Sequence, residues 1–144
     1  MAVKPVPERY HTLTPFLTVK DAAGLIEFLK RAFGAVEHER IEGPPGVVRH
    51  GELQVGDSMV MLAEASAAAG GSVSSIYMYV ENVDETYKKA IEAGAQPLTE
   101  VMNMPFGDRS GGVVDPAGNR WWISTHIEDV DQAELMRRMM GGRR

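Results

Sequence analysis

The chain repeats one pattern of residues about sixty positions further along, and this repeat constrains its fold more than any other feature. FLTVKDAAGLIEFLKRAFGA (residues 16–35) runs from an apolar strand through an acidic turn into an amphipathic helix that ends in Gly-Ala. YMYVENVDETYKKAIEAGA (residues 77–95) follows the same course. Behind each copy, a glycine turn leads into an apolar strand. The repeat predicts two small modules, each a strand, a helix and further strands, that share a core.

The length of 144 residues is sufficient for one ordinary domain with a buried core. We predict a single domain over residues 1–144. It comprises a first module at about 12–63, a linker at 64–74, a second module at about 75–126 and a tail helix at 131–140. Strand patterns outnumber helical ones within each module, which indicates the α+β class.

Composition excludes several classes of protein. The net charge is −5 and no basic stripe is interleaved with aromatic residues, so we expect no nucleic-acid partner. The absence of cysteine excludes disulfides, thiolate catalysis and cysteine metal sites. No window approaches 18 uninterrupted apolar residues, so we expect no membrane association and a cytoplasmic location.

Three segments carry a resemblance to a known family: YHTLTPFLTVKDAAGLIEFLKRAFGA, HGELQVGDSMVMLAE and FGDRSGGVVDPAGNRWWISTHIEDV. Over roughly residues 10–130 the chain resembles the vicinal oxygen chelate superfamily, and within it the PhnB-like branch. That superfamily includes glyoxalases, fosfomycin- and bleomycin-resistance proteins and extradiol dioxygenases. The resemblance implies two βαβββ modules whose curved sheets form an open half-barrel around a cleft. It also implies a homodimer, in which the cleft is often completed across subunits.

The metal-using members of this superfamily hold a divalent cation with His and Glu from strands of both modules. Counting along the repeat places the corresponding positions of this chain at Thr14, Val60, Ser75 and Trp122. None of these side chains supplies the imidazole or carboxylate that such a site needs. We therefore predict no metal at the standard position and no other cofactor.

A displaced metal site is the alternative. Strand alternation places His50 and Glu52 on the side that faces the cleft, because the apolar residues between them should pack under a helix. Glu64 and His126 have the same parity in their own strands. These four residues could hold a metal together. The interpretation that we favour is that His50 and Glu52 hydrogen-bond each other or a ligand.

Aromatic residues are predicted to line the cleft. The same alternation directs Phe16, Tyr77, Tyr79 and Trp122 to the cleft side. An aromatic wall with a few polar groups is typical of a small-molecule pocket, and its rings can stack on flat or cationic ligands. The alternative is that these rings simply fill the concave side of the sheet as core.

One basic residue is a further candidate. Arg109 follows Asp108 at the end of the loop 103–109 and could clamp a carboxylate or phosphate with its guanidinium. The alternative, which we favour, is that Arg109 ties the loop to a strand.

We predict a homodimeric protein that binds a small organic molecule. The predicted ligand-binding residues are Phe16, His50, Glu52, Tyr77, Tyr79, Arg109 and Trp122. No nucleophile–base motif identifies catalytic residues. Two alternatives remain: a metal-dependent lyase or isomerase that uses the displaced His/Glu site, and a structural or regulatory module that binds a partner protein.

Overall fold

The computed structural model describes residues 2–67 and 70–141. Residues 68 and 69, in the predicted linker, lie outside the described residues, as do residue 1 and residues 142–144. The elements, in chain order, are β1 (Phe16–Val19), α1 (Ala22–Phe33), β2 (Val36–Glu42), β3 (Val48–Val55), β4 (Ser58–Glu64), β5 (Ser75–Tyr79), α2 (Val83–Glu92), β6 (Gln96–Asn103), β7 (Asp108–Val114), β8 (Arg120–His126) and α3 (Gln132–Gly141). The tail helix α3 begins and ends within about one residue of the predicted range 131–140.

The strands form two four-stranded sheets with the same topology. The first sheet has the order β1-β4-β3-β2 and the second the order β5-β8-β7-β6. In each sheet the first and last strands of the module pair in parallel, and the other neighbours are antiparallel. Each module is therefore a βαβββ unit, and the α+β prediction is confirmed.

The register of the sheets corrects one residue assignment. Phe16 pairs with Met61 in the first sheet, and Tyr77 pairs with Trp122 at the equivalent place in the second. The counterpart of Trp122 is thus Met61, and the assignment to Val60 was wrong. A count from the turn glycines gives Val60 because Gly56 lies five residues before Met61, whereas Gly118 lies four residues before Trp122, so β4 is shifted by one residue relative to β8. Val60 is buried in the core.

Two carboxylates fix the start of α1. Asp21 adopts a left-handed conformation (φ 61°) and accepts a 3.1 Å hydrogen bond from the amide of Gly24. Glu64, at the end of β4, accepts hydrogen bonds of 2.9 Å from the amides of Asp21 and Ala22. These bonds satisfy amides that have no partner within the helix. Glu64 is therefore a strand residue that anchors the helix and is not part of the linker.

The two modules share one core, and the helices join them. The Phe33 ring, at the end of α1, packs on Trp121 of the second sheet with ring centroids 5.1 Å apart. Arg31 donates a 3.2 Å hydrogen bond to the carbonyl of Ala93, just after α2. Buried apolar side chains from both modules form a single cluster that includes Leu17, Leu25, Ile26, Phe28, Leu29, Leu53, Leu62, Val83, Val113, Trp121 and Ile123. Each module thus completes the core of the other.

The tail helix α3 has no buried residue, and Met136, Met139 and Met140 are all exposed on it. Among the residues that the structure describes, no helix is long and apolar enough to cross a membrane.

Candidate functional site

Each sheet has one face against the helices and one face turned away from them, which we call the open face. In β3, a Cβ on Gly51 would meet Leu62 and Ile26 of α1, and Leu53 is fully buried. His50 and Glu52 alternate with these residues and are only half-buried. His50 and Glu52 therefore lie on the open face of the first sheet, away from the helices.

A buried carboxylate organises the open face of the second sheet. Asp108, on β7, is 2% exposed. Its Oδ2 accepts hydrogen bonds from the hydroxyls of Tyr77 (2.6 Å) and Tyr79 (2.9 Å), both on β5. Its Oδ1 lies 2.8 Å from Nδ1 of His126, at the end of β8. We call these four residues the tyrosine–aspartate cluster.

The protonation states within this cluster follow from its contacts. Burial opposes ionisation of Asp108, but hydrogen bonds from Tyr77, His126 and Tyr79 outweigh it and hold the pKa of Asp108 below its usual value. Asp108, and after it Asp129 at 2.7 Å, raises the pKa of His126. The pKa of Tyr77 is raised by burial and by Asp108. The cluster therefore combines an ionised carboxylate, neutral tyrosines and a histidine that favours its charged form.

Trp122 lies across the same face. Its Nε1 donates a 2.9 Å hydrogen bond to Oγ of Ser75 on β5. The far edge of its ring covers Gly112 on β7, where an added Cβ would come within 2.7 Å of the indole. Because β8 lies between β5 and β7, the indole spans the neighbouring strands on both sides. The ring therefore lies along the sheet and presents one flat side outward.

The open face of the first sheet has a different chemistry. Nε2 of His50 lies 2.7 Å from Oε2 of Glu52, and the hydroxyl of Tyr10 donates a hydrogen bond to Oε1 of Glu52. Burial, and then the hydrogen bond to Glu52, raise the pKa of Tyr10 to about 12. One ligand atom each from Glu39, His50 and Glu52 lies within 4.8 Å of the others. Phe16, on β1, is 55% exposed.

The structure does not bring together the four residues of the displaced metal site. Glu64 binds the amides at the start of α1, so its carboxylate is already engaged. His126 contacts Asp108 and Asp129 in the second module. The combination of His50, Glu52, Glu64 and His126 was therefore wrong as a set. The alternation of side chains along a strand shows which face of the sheet a residue lies on, but not which residues of other strands it contacts. The hydrogen bond between His50 and Glu52 that we favoured is present.

Arg109 lies on the helix side of the second sheet. Its guanidinium makes two 2.9 Å contacts with the carboxylate of Asp84 in α2 and a 3.0 Å contact with Oδ1 of Asn103. Asp108, its neighbour in β7, points to the opposite face. The structure thus ties Arg109 to α2 and β6, as the favoured alternative expected, and separates it from the other candidate residues.

A groove of about 1460 Å³ follows the free edge of β5 between the modules. Its walls include Tyr77, Tyr79 and His126, together with residues 13–15 and the turn between β3 and β4. Phe16, His50, Glu52 and Trp122 are not among its lining residues. Apart from Arg109, the predicted site residues therefore fall into two groups, one on each sheet: Phe16, His50 and Glu52 on the first, and Tyr77, Tyr79 and Trp122 on the second.

Two residues of these faces, Asp108 and Glu39, were not predicted from the sequence. Asp108 was considered only as a neighbour of Arg109, although its parity with Ser110 in β7 could have placed it on the open face. Glu39 was not considered at all, because regular alternation would direct it toward the helices. An irregularity in β2 reverses that direction.

Comparison with known proteins identifies the family. Residues 10–123 match the Glyoxalase/Bleomycin resistance protein/Dioxygenase superfamily, and the chain belongs to it. An uncharacterized protein of Mycobacterium tuberculosis is 33% identical over 138 residues, which cover 88% of this chain and 81% of the relative.

Solved structures show the same fold. TioX from Micromonospora sp. ML1 is 26% identical with a TM-score of 0.69, and the alignment covers 81% of this chain and 99% of TioX. A lactoylglutathione lyase from Agrobacterium tumefaciens is 20% identical with a TM-score of 0.62, and the alignment covers 85% of this chain and 96% of the lyase. At that identity the lyase shows the fold alone.

Proposed function

We propose that this protein binds a small, planar organic cation on the open face of its second sheet and does so without the metal site of the family's catalytic members. The observation that carries this proposal is the arrangement of Tyr77, Tyr79 and Trp122. Each ring is held by a polar contact at its tip, with Asp108 for the tyrosines and Ser75 for the indole. The ring faces, rather than their polar atoms, are therefore available to a ligand.

The standard metal positions support binding rather than metal-dependent chemistry. After the correction of Val60 to Met61 from the register of the sheets, these positions are Thr14, Met61, Ser75 and Trp122. None of them offers an imidazole or a carboxylate, and the last two are bonded to each other. These residues do not fit the divalent ion that the family's enzymes use, so we derive no catalytic step through it.

Charge favours a cation as the ligand. The ionised Asp108 and the exposed Asp129 flank His126, so the two carboxylates outnumber the one histidine. Tyr77 and Tyr79 add the negative faces of their rings, whose centroids are 5.5 Å apart. A cation over such rings gains about 0.5–2 kcal/mol, depending on how far it is desolvated. An anion of the same shape would meet repulsion instead.

We also propose that the working form is a homodimer. β1 and β5 are each paired on one side only within the described chain, and the groove follows the free edge of β5. Free strand edges favour pairing with another chain. The exposed methionines of α3 and Leu13, which is 87% exposed, provide apolar surface that a second copy would bury. A dimer of this kind would bring a second copy against the groove that Tyr77 and Tyr79 line.

Contact quenching of tryptophan fluorescence tests the binding proposal. The chain has two tryptophans: Trp122 lies on the open face, whereas Trp121 is 1% exposed in the core. 1-Methylnicotinamide, a planar pyridinium cation, should quench Trp122 and spare Trp121. Nicotinate, an anion with an uncharged pyridine ring of the same size, should quench less. If Trp122→Ala leaves the extent of quenching by the cation unchanged, the proposed stacking surface is wrong.

A further inference from the structure

We propose that Glu39, His50 and Glu52 form a binding site for one divalent transition-metal ion on the open face of the first sheet. Glu39 lies on β2, and the other two residues lie on β3. One ligand atom from each residue lies within 4.8 Å of the other two. This site uses none of the four standard positions of the family. It also revises the sequence-based expectation that the protein binds no metal.

A β-bulge brings Glu39 into this site. Glu37 pairs with Leu53, whereas Glu39 pairs with Glu52, so β2 has one more residue than β3 over this interval. The extra residue is His38, whose Nε2 lies 2.9 Å from Oε1 of Gln54. Without the bulge, Glu39 would share the helix side with Glu37. Bulges commonly redirect a side chain in this way next to functional sites.

The bulge creates an electrostatic conflict that a cation would resolve. Glu39 and Glu52 are directly opposite each other on antiparallel strands, and like charges in this position are destabilising. Within the described residues, no hydrogen bond or ion pair engages the Glu39 carboxylate. Arg9 lies close enough to Glu52 for a charge interaction, but within the described residues no Lys or Arg forms an ion pair with Glu39.

The helix side of the same strand shows how acidic residues are otherwise balanced. Glu37 pairs with Lys30 at 2.7 Å and with Arg40 at 2.8 Å. Two basic residues thus neutralise the Glu37 carboxylate on the helix side. The Glu39 carboxylate on the open face has no such partner and is available to another cation.

The chemistry of the three ligands selects the class of ion. One imidazole nitrogen and two carboxylate oxygens suit Zn²⁺, Mn²⁺ or Fe²⁺, and three protein ligands leave coordination positions open. Tyr10 would orient Glu52 through its hydroxyl hydrogen bond, as outer partners of metal ligands commonly do. His50 must bind as the neutral imidazole, so its contact with Glu52 would give way to the metal.

Titration calorimetry on the chelator-treated full-length protein tests the proposal, with Zn²⁺ and Mn²⁺ as probes. We expect one ion per chain to bind. Glu39→Gln and His50→Asn should each lower the affinity for the ion at least about 10-fold, and Tyr10→Phe should lower it about 10-fold or more. Glu37→Gln is the matched control, because it removes the same charge from the other face of the same strand. That variant should keep the affinity of the unmodified protein.

Thermal melting supplies a second readout, because an ion that binds only the folded chain raises Tm and the ligand variants should lose this increase. Two results would overturn the proposal: binding weaker than about 1 mM for both ions, or binding that Glu39→Gln lowers no more than Glu37→Gln does. Tyr77→Phe alters only the second sheet and should leave metal binding unchanged. Failure of the metal site is thereby distinguishable from failure of the ligand-binding proposal.

Discussion

The hydroxyl of Tyr77 donates a 2.6 Å hydrogen bond to the carboxylate of Asp108, although a whole strand lies between the two residues. The strand that Tyr77 crosses is β8: Tyr77 pairs there with Trp122, and its ring runs diagonally so that its hydroxyl lies beside the small residues Ser124 and Ser110. Ser124 in turn donates a 2.8 Å hydrogen bond to Ser110 on β7. Small side chains beneath the ring allow it to lie across the sheet, and this is why the open face presents aromatic surfaces rather than hydroxyl groups.

The first prediction concerns pH. Asp108 and Asp129 raise the pKa of His126 in the folded protein. The stabilisation is therefore fully present below the unfolded value of about 6.5 and is lost as pH rises through the folded value. His126→Gln should lower Tm most below pH 6.5 and progressively less at alkaline pH.

Thermal melts of both proteins across this pH range check the prediction. Glu128 and Arg138 form an ion pair nearby. Both proteins contain this pair, so its contribution to Tm cancels in the difference between them. In an Asp129→Asn background the Tm difference at low pH should shrink, because one of the two carboxylates is gone. A Tm difference that stays constant with pH would contradict the assignment of His126 as a charged partner of Asp108.

The second prediction concerns the backbone that positions Asp108. Gly107 has φ +103°, and a Cβ there would lie 2.3 Å from the carbonyl oxygen of Glu128. Its own carbonyl accepts hydrogen bonds from the amides of Ile127 and Glu128. Gly107→Ala should therefore lower the free energy of unfolding by about 1–3 kcal/mol from backbone strain, with the steric clash adding to this loss.

Gly34→Ala is the matched control for this substitution. Gly34 also has a positive φ, of +67°, but no atom lies within 4 Å of an added Cβ. In urea denaturation, Gly34→Ala should lower the free energy of unfolding by less than Gly107→Ala does. Equal losses would mean that the close approach of Glu128 is not what requires glycine at position 107.

The third prediction concerns the position of the indole. An added Cβ at Gly112 would come within 2.7 Å of the Trp122 ring and 3.1 Å of Oγ1 of Thr99. Gly112→Ala should lift the ring and weaken its hydrogen bond to Ser75. We expect the Trp122 emission to shift toward longer wavelength, while Trp121 stays buried. An unchanged spectrum would show that the ring does not rest on Gly112.

The fourth prediction concerns assembly. A specific dimer should bury more than about 1,000 Å² in total. We expect light scattering at micromolar concentration to give twice the chain mass of 15.8 kDa. A charged residue in the exposed apolar surface of α3, as in Met139→Glu, should shift the protein toward the monomer. A mass of one chain for the unmodified protein would count against the homodimer.

The sequence predicted the fold well because its signals are local. The repeat, the helix periodicity and the turn glycines each specify a nearby stretch of backbone, and strand alternation then assigns each side chain to a face. This was sufficient for His50 and Glu52, which share one face of a regular strand. It was also sufficient for Tyr77 and Tyr79, which are half-buried or exposed on an edge strand.

The site itself was less predictable because its contacts join different strands. Which residue faces Asp108 depends on strand order, and alternation along one strand contains no information about that. Alternation along β4 assigned Glu64 to the cleft side, but its carboxylate accepts a hydrogen bond from an amide at the start of α1. The bulge in β2 moved Glu39 to the other face with no glycine or proline in residues 36–42 to mark it. Backbone irregularities and long-range partners therefore account for what the sequence did not predict.

Titration calorimetry with N-methylacridinium tests the central claim most directly, since this cation is planar and large enough to span two of the rings. We predict saturable binding that Trp122→Ala weakens about tenfold, which corresponds to about 1.4 kcal/mol of lost stacking. Tyr87→Phe should bind as the unmodified protein does, because its hydroxyl contacts Thr99 on the helix side. Acridine-9-carboxylate, the matched anion, should bind more weakly than the cation. Absence of saturable binding by the cation, or equal affinity of the Trp122→Ala and unmodified proteins, would contradict the account.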